Sequence, residues 1–208
     1  KAIGARARVG SRALAKASTH VKNVALGSIA DARIYDHALS VQQVAALVYA
    51  GTGRRLVLAL KHGDRPDLAP ALAGWLSRAA APLIRPGMVV APVPLHLRRL
   101  MKRRYNQAGL MSAPLARSRG LDHLPDLLLR NRHTEGQDHR GVSDRFANIA
   151  GAITVNRRRA ARIEGRAVLL VDDVMTSGAT LSAAAEALLA AGSGPVSVAV
   201  LARAVKDD

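Results

Sequence analysis

Cysteine is absent from all 208 residues, which excludes disulfides, thiolate zinc sites and cysteine nucleophiles and makes a cytoplasmic protein the default expectation. Aromatic residues are nearly as scarce, at 2%, with Trp75 and Phe146 the only large rings besides three tyrosines. The hydrophobic fraction of 49% must therefore come mainly from Ala, Leu, Val and Ile, the filling of helix-covered parallel sheets. The same scarcity argues against a dedicated single-strand nucleic-acid platform, on which bases stack against rings. Acidic residues are few as well: 15 Asp and Glu face 31 Lys and Arg, leaving a formal charge of +16. An anionic partner is implied, whether nucleic acid, a phosphorylated small molecule or an acidic protein surface. Drift in an Arg- and Ala-rich chain would leave the same excess on a solvated face. No apolar run reaches about 18 residues, so no membrane association is expected. The basic stretch Lys1 to Lys16 lacks the apolar core of a secretory signal.

What is present suits one domain with an appendage, since a domain of ~150 residues buries roughly two-thirds of its unfolded surface. Residues 1–45 read as a basic N-terminal extension, either a fusion remnant or a disordered tail. Within it, Ala32 to Ser40 resembles the closing strand and helix of laminin-G-like sandwich domains, although about twenty residues cannot build a sandwich. Residues 46–208 form the second unit, and there the pattern becomes regular. Leu56, Val57 and Leu60 are spaced for a short helix that stops at Gly63, and Asp67 to Ala80 is predicted helical despite Pro70. Met88 to Ala91 is a buried strand ended by Pro92-Val93-Pro94, Asn106 to Arg117 a helix, and Asp126 to Leu129 a short strand. Arg130 to Arg145 is polar and aperiodic, a candidate mobile loop or a plain solvated one. Strands are expected over Ile149 to Val155, Ala167 to Val171 and Val196 to Leu201, with a helix over Leu181 to Ala191. Alternation of this kind implies an α/β fold, a central parallel sheet with helices on both faces, whose ligands sit beyond the carboxyl ends of the strands.

The chemistry concentrates in Val168 to Thr180. Four apolar residues, Val168 to Val171, form a strand buried on both faces, and Asp172 and Asp173 follow where it leaves the sheet. Adjacent carboxylates repel and raise each other's pKa unless a vicinal diol or a cation engages them. Next come Met175, Thr176, Ser177, Gly178, Ala179 and Thr180, small or hydroxylated residues just before a helix. Such a turn can wrap N–H groups and hydroxyls around a phosphate, with the helix N-terminus adding partial positive charge. Acids for a diol and a loop for a phosphate, one turn apart, describe a ribose 5-phosphate site. No Gly-Lys-Ser/Thr follows and no G-x-G-x-x-G exists, which excludes a Walker loop and a dinucleotide fingerprint.

This segment resembles the phosphoribosyl-pyrophosphate signature of type I phosphoribosyltransferases. Further stretches resemble the ComF family of competence proteins: Leu47 to Gly51 with Arg54 to Arg65, Pro92 to His96, Arg103 to Ala108, Asn131 to Gln137, and Arg145 to Ala152. The likeness runs over about residues 47 to 203. A four-cysteine zinc ribbon, common at the start of that family, has no counterpart here.

The resemblance implies a type I phosphoribosyltransferase fold with a small hood and a flexible loop. It implies phosphoribosyl pyrophosphate as ligand, transfer of the phosphoribosyl group with release of pyrophosphate, and a family link to DNA uptake. By the same resemblance, Asp172 and Asp173 engage the ribose, and Met175 to Thr180 the 5-phosphate. Val93, Pro94, Leu95 and His96 occupy the place of the pyrophosphate loop, where a strained backbone presents N–H groups, unless the two prolines only end the strand. Arg98, Arg99, Lys102, Arg103 and Arg104 can supply positive charge nearby. Gln137, Arg140 and Arg145 match a mobile catalytic loop that brings cations to the leaving group. His133 and His139 lack a third ligand of suitable spacing for a metal. Mg2+ is the implied cofactor, carried by the ligand rather than held by the protein, with Asp172 and Asp173 nearby. Implied partners are single-stranded DNA and a competence helicase, and a homodimer is allowed. The alternative is a non-catalytic regulator or adaptor that binds phosphoribosyl pyrophosphate, or binds single-stranded DNA through Arg98 to Arg104 and Arg157 to Arg166.

Overall fold

The computed structural model describes residues 42–131, 149 and 151–204. The expectations for residues 1–41, including the laminin-G-like stretch, lie outside the described residues.

Five parallel strands form the main sheet in the order β1-β7-β6-β2-β3, comprising β1 (Gln42–Val48), β2 (Val89–Pro92), β3 (Asp122–His123), β6 (Val168–Met175) and β7 (Val196–Arg203). β6 lies at its centre because Val168 to Val171 have no other use: all four are fully buried, and only a strand covered on both faces hides four successive apolar side chains. An antiparallel pair, β4 (Leu128–Arg130) with β5 (Ile153–Val155), makes a second small sheet.

The helices are α1 (Gly51–His62), α2 (Ala69–Ala79), α3 (Leu97–Arg103), α4 (Gln107–Arg119) and α5 (Ala179–Ala190). One face of the sheet packs Val57 and Leu60 of α1, Leu72 and Leu76 of α2, and Met111 and Leu115 of α4 against Leu169, Val171 and Leu201. The other packs Leu181, Ala184 and Leu188 of α5, together with Leu128 and Ile153 of the small sheet, against Val168, Leu170 and Val198. Helices therefore cover both faces, as expected, with the β4–β5 pair in the position of a small hood.

Four expectations need correction. β1 begins at Gln42, paired with Ser197, so four residues assigned to the extension belong to the sheet. Their place at the edge depends on a partner strand near the far end of the chain, which no local pattern reveals. The strand expected from Ile149 starts only at Ile153, because the Ala152 N–H turns back to the Ile149 carbonyl at 2.9 Å. β6 does not stop at Val171 but runs on to Met175, since β7 continues to pair with it beyond the end of β2. Finally, Leu97–Arg103, read only as a basic run, is a helix capped by His96, whose Nδ1 accepts from the Arg98 N–H at 3.2 Å.

Candidate ribose-phosphate site

The register explains why a site forms at this end. β2 pairs with β6 only as far as Pro92 with Val171, whereas β7 follows β6 to Met175 with Arg203. Asp172 and Asp173 thus stand on a strand that has outrun one neighbour, at the carboxyl end of the parallel sheet. Successive side chains of a strand point to opposite faces. Val168 and Leu170 enter the α5 side, and Leu169 and Val171 the side of α1, α2 and α4, so Asp172 continues the first row and Asp173 the second.

Their environments differ accordingly. Asp173 is buried and its Oδ1 lies 3.1 Å from the Lys61 Nζ at the end of α1. Asp172 is half-buried, and its Oδ1 accepts the Asp173 backbone N–H at 2.8 Å. Burial, then the charge of Asp173, push the Asp172 carboxyl up to about 7, against weaker opposing effects of the Asp173 N–H and of the Lys61 and Arg130 charges. Lys61 and Arg130 were given no site role from the sequence. Each stands far along the chain from the acids, and only the crossing of α1 over the strand ends and the position of β4 bring them close.

Beyond the acids, the chain enters α5 through Gly178, whose φ of 78° lies in the left-handed region that glycine tolerates best. No side chain caps this helix. Its first N–H groups and its partial positive charge are therefore offered to an acceptor from outside the helix. Thr176 is exposed, and Ser177 and Thr180 are partly so, placing three hydroxyls around the same turn. Met175 departs from the expectation: its side chain is 6% exposed within the core, and its carbonyl accepts the Ala204 N–H at 2.9 Å.

The turn after β2 is less open than the resemblance implies. The Val93 N–H donates to the Val171 carbonyl at 2.8 Å, extending the sheet, and the Val93 carbonyl accepts from Asn106 Nδ2 at 3.0 Å. Pro94 has no N–H, and none of Val93, Pro94, Leu95 and His96 adopts a left-handed φ. The N–H and carbonyl of Val93 are thus spent on the ladder and on Asn106. Asn106 does two tasks, since its Oδ1 also caps α4 through the Ala108 N–H at 3.0 Å.

Gln137, Arg140 and Arg145, with His133 and His139, lie outside the described residues, as do the side chains of Arg99, Lys102 and Arg103. Arg98 and Arg104 are exposed next to this turn. The other basic run, Arg157 to Arg166, is elsewhere: Arg166 precedes β6 at the amino end of the sheet, with its Nη2 2.9 Å from Asp122. Among the described residues, no group of three or more His, Asp or Glu side chains gathers where a metal could be held.

The phosphoribosyl transferase domain family matches residues 128–207. The chain is 32% identical over 161 residues to the DNA utilization protein YhgH of Escherichia coli (strain K12), covering 74% of this chain and 69% of that protein. It is 36% identical over 115 residues to Competence protein F of Haemophilus influenzae, covering 55% of this chain and 50% of that one. Across such relatives the chain spans from half to about two thirds of their length. A solved structure described as the allosteric regulatory enzyme of purine biosynthesis is 19% identical, with a TM-score of 0.44 over 69% of this chain and 30% of that one.

Proposed function

The chain belongs to the ComF family of type I phosphoribosyltransferase-fold proteins, and from that premise we propose that it binds phosphoribosyl pyrophosphate at the carboxyl end of β6 and transfers the phosphoribosyl group with release of pyrophosphate. The observation that carries this reading is the unbroken succession of a buried strand, Asp172 and Asp173, the Gly178 turn, and a helix with no side-chain cap. A diol can donate to the carboxylates while an anion accepts from the helix N-terminus. Ribose 5-phosphate carries both a diol and an anion.

In this reading Asp172 orients the ribose hydroxyls, and Thr176, Ser177 and Thr180 join the α5 N–H groups around the 5-phosphate. Pyrophosphate would leave toward the turn Val93 to His96 and the exposed Arg98 and Arg104, with Arg140 and Arg145 as further cations. Positive charge develops at C1 of the ribose as the bond to pyrophosphate breaks, so the carboxylates stabilise it across the ring. Mg2+ would be carried on the oxygens of the ligand, with Asp172 and Asp173 nearby. There it would neutralise charge on the leaving group.

The occupied backbone of Val93 favours a second reading, a binder of phosphoribosyl pyrophosphate without turnover that acts as a regulator or adaptor. The names of the relatives, DNA utilization and competence proteins, support a place in DNA uptake beside a helicase and single-stranded DNA, with a homodimer as one working form. No helix among the described residues is long and apolar enough to cross a membrane, and the cytoplasm is the proposed compartment. Calorimetric titration with phosphoribosyl pyrophosphate, with and without Mg2+, followed by pyrophosphate release over a panel of bases, separates the readings. Binding with release supports the transferase, binding without release the regulator, and no binding overturns both.

A further inference from the structure

We infer that Lys61 is a positioning residue of this site: its ammonium holds Asp173 on the α1 side of β6, so that Asp172 alone is presented to the diol of the ligand. The inference rests on the functional reading above and divides the labour between two acids that the motif treats alike.

Geometry supports it first. The ion pair is 3.1 Å long, and the two side chains are only 20% and 11% exposed, so solvent competes weakly for either partner. Neighbouring strand residues face opposite sides, so Lys61 pairs directly with Asp173 and acts on Asp172 only through its charge. Lys61 closes on Asp173, while the Oδ1 of Asp172 takes the N–H of the very next residue, at 2.8 Å.

Lys61 is also delivered by a rigid element. α1 starts directly after β1, and its first turn lies so close to the strand that a Cβ at Gly53 would collide with the Val48 carbonyl oxygen. At its far end the Tyr105 hydroxyl donates to the Leu60 carbonyl at 2.9 Å, one residue before Lys61. Leu60 itself is fully buried. A lysine in the last turn of a helix is further favoured by the helix dipole. The long stem therefore starts from a fixed base, which makes the placement of Asp173 specific.

Charge gives the device its purpose. Two ionised carboxylates would repel each other and would repel a ligand that carries several phosphate charges. Neutralising one acid while leaving the other open keeps an acceptor for the diol and removes half of that repulsion. Without Lys61, Asp173 is released to turn toward the ligand, which disturbs the geometry of Asp172.

The test is a titration of the full chain with Mg2+-phosphoribosyl pyrophosphate for the parent, K61M, K61R, D173N and the K61M/D173N double variant, with melting curves for each. The expected result is an about tenfold rise in Kd for K61M, about threefold or less for K61R, and no more than about twofold when K61M is introduced into D173N, because Lys61 acts through Asp173. The double variant removes both charges, so it stays informative if K61M alone melts early. A loss from K61M that is equally large in the D173N background means that Lys61 touches the ligand directly and overturns the inference. Parent-like affinity of K61M overturns it too, while leaving the ribose-phosphate reading intact. A parent that binds no ligand sinks that reading, and this inference with it.

Discussion

Two regions of the molecule handle carboxylates in opposite ways. Along the arginine-rich stretch 157–166, acids at the surface are amply supplied with cations. Asp122 has Arg166 at 2.9 Å and Arg162 at 3.6 Å, and Asp126 is gripped by Arg159 at 2.9 Å. The hydrogen bond from Arg166 holds the Asp122 carboxyl below the usual range, and the one from Arg159 does the same for Asp126. At the carboxyl end of β6, Lys61 pairs with Asp173 and no described residue forms an ion pair with Asp172, whose carboxyl burial pushes up to about 7. A chain with a charge of +16 could have supplied more cations there. Among the described residues, cations sit where acids are already solvated and are sparing where acids are buried, the pattern the proposed ligand site calls for rather than that of a stability network.

The contrast can be broken most forcefully by replacing Asp172 and Asp173 together with Asn. Amides still accept hydrogen bonds but lose the charge-assisted part, worth ~1.5–3 kcal/mol per bond against about one. Titration should then show an at least ~10-fold weaker affinity for Mg2+-phosphoribosyl pyrophosphate with the fold intact by circular dichroism. Unchanged affinity would remove the ribose-phosphate reading of the segment.

A second test uses pH. The folded-state pKa of Asp172, about 7, lies above its ordinary 3.8, so the folded chain binds the extra proton between these values. Stability linked to this group is complete below pH ~4 and is lost as pH rises through about 7. Comparing melting curves of the parent and D172N, the variant should gain relative stability from pH 4 to 8, on the order of 1–2 kcal/mol once solvent screening is allowed for. For Asp122 and Asp126 the sign reverses: their contribution is present above the ordinary carboxylate pKa and lost as pH falls through the lowered one. A gain for D172N that is equally large at pH 4 would contradict the assignment.

Smaller effects sharpen the picture of the arginine-rich stretch. Arg157 and Arg158 are exposed and stand outside the ion pairs with Asp122 and Asp126. If the chain binds single-stranded DNA there, replacing both with Ala should reduce the slope of log affinity against log salt by about 1.4, equally for all sequences. A fluorescence anisotropy series over salt measures this, and strong sequence selectivity would argue against a purely electrostatic patch. The smallest change is expected for D122N, which removes an exposed partner of two arginines. Its melting temperature should move by ~2 °C or less, and ligand affinity should stay at the parent value.

Much of the site could be read before the fold was known because it is continuous in the chain. Val168 to Thr180 carries its own strand, its own turn and its own helix start, each with a local signature: four apolar residues in a row, a glycine suited to positive φ, and hydroxyls before an apolar helix. The helix after Asn106 was legible for the same reason, but the role of Asn106 as its cap was not: the residue was read as the first of the helix, whereas it stands before it in extended form. The turn Val93 to His96 was legible in position but not in behaviour. Whether Val93 offers its N–H or spends it on Val171 depends on how far β6 extends beside β2, and that is settled between strands rather than along one.

By itself, then, the order of residues determined the α/β class, the central strand, the acid pair and the helix that follows, since each depends on periodicity or on neighbours within a few positions. The tertiary structure alone decided that the edge strand starts at Gln42, that Met175 turns into the core, that Asp172 and Asp173 face opposite sides with different partners, and that Lys61 reaches one of them. Those outcomes depend on contacts between segments distant in the chain, where packing of α1 across the strand ends and the register of β7 against β6 choose among placements that local propensity leaves equal.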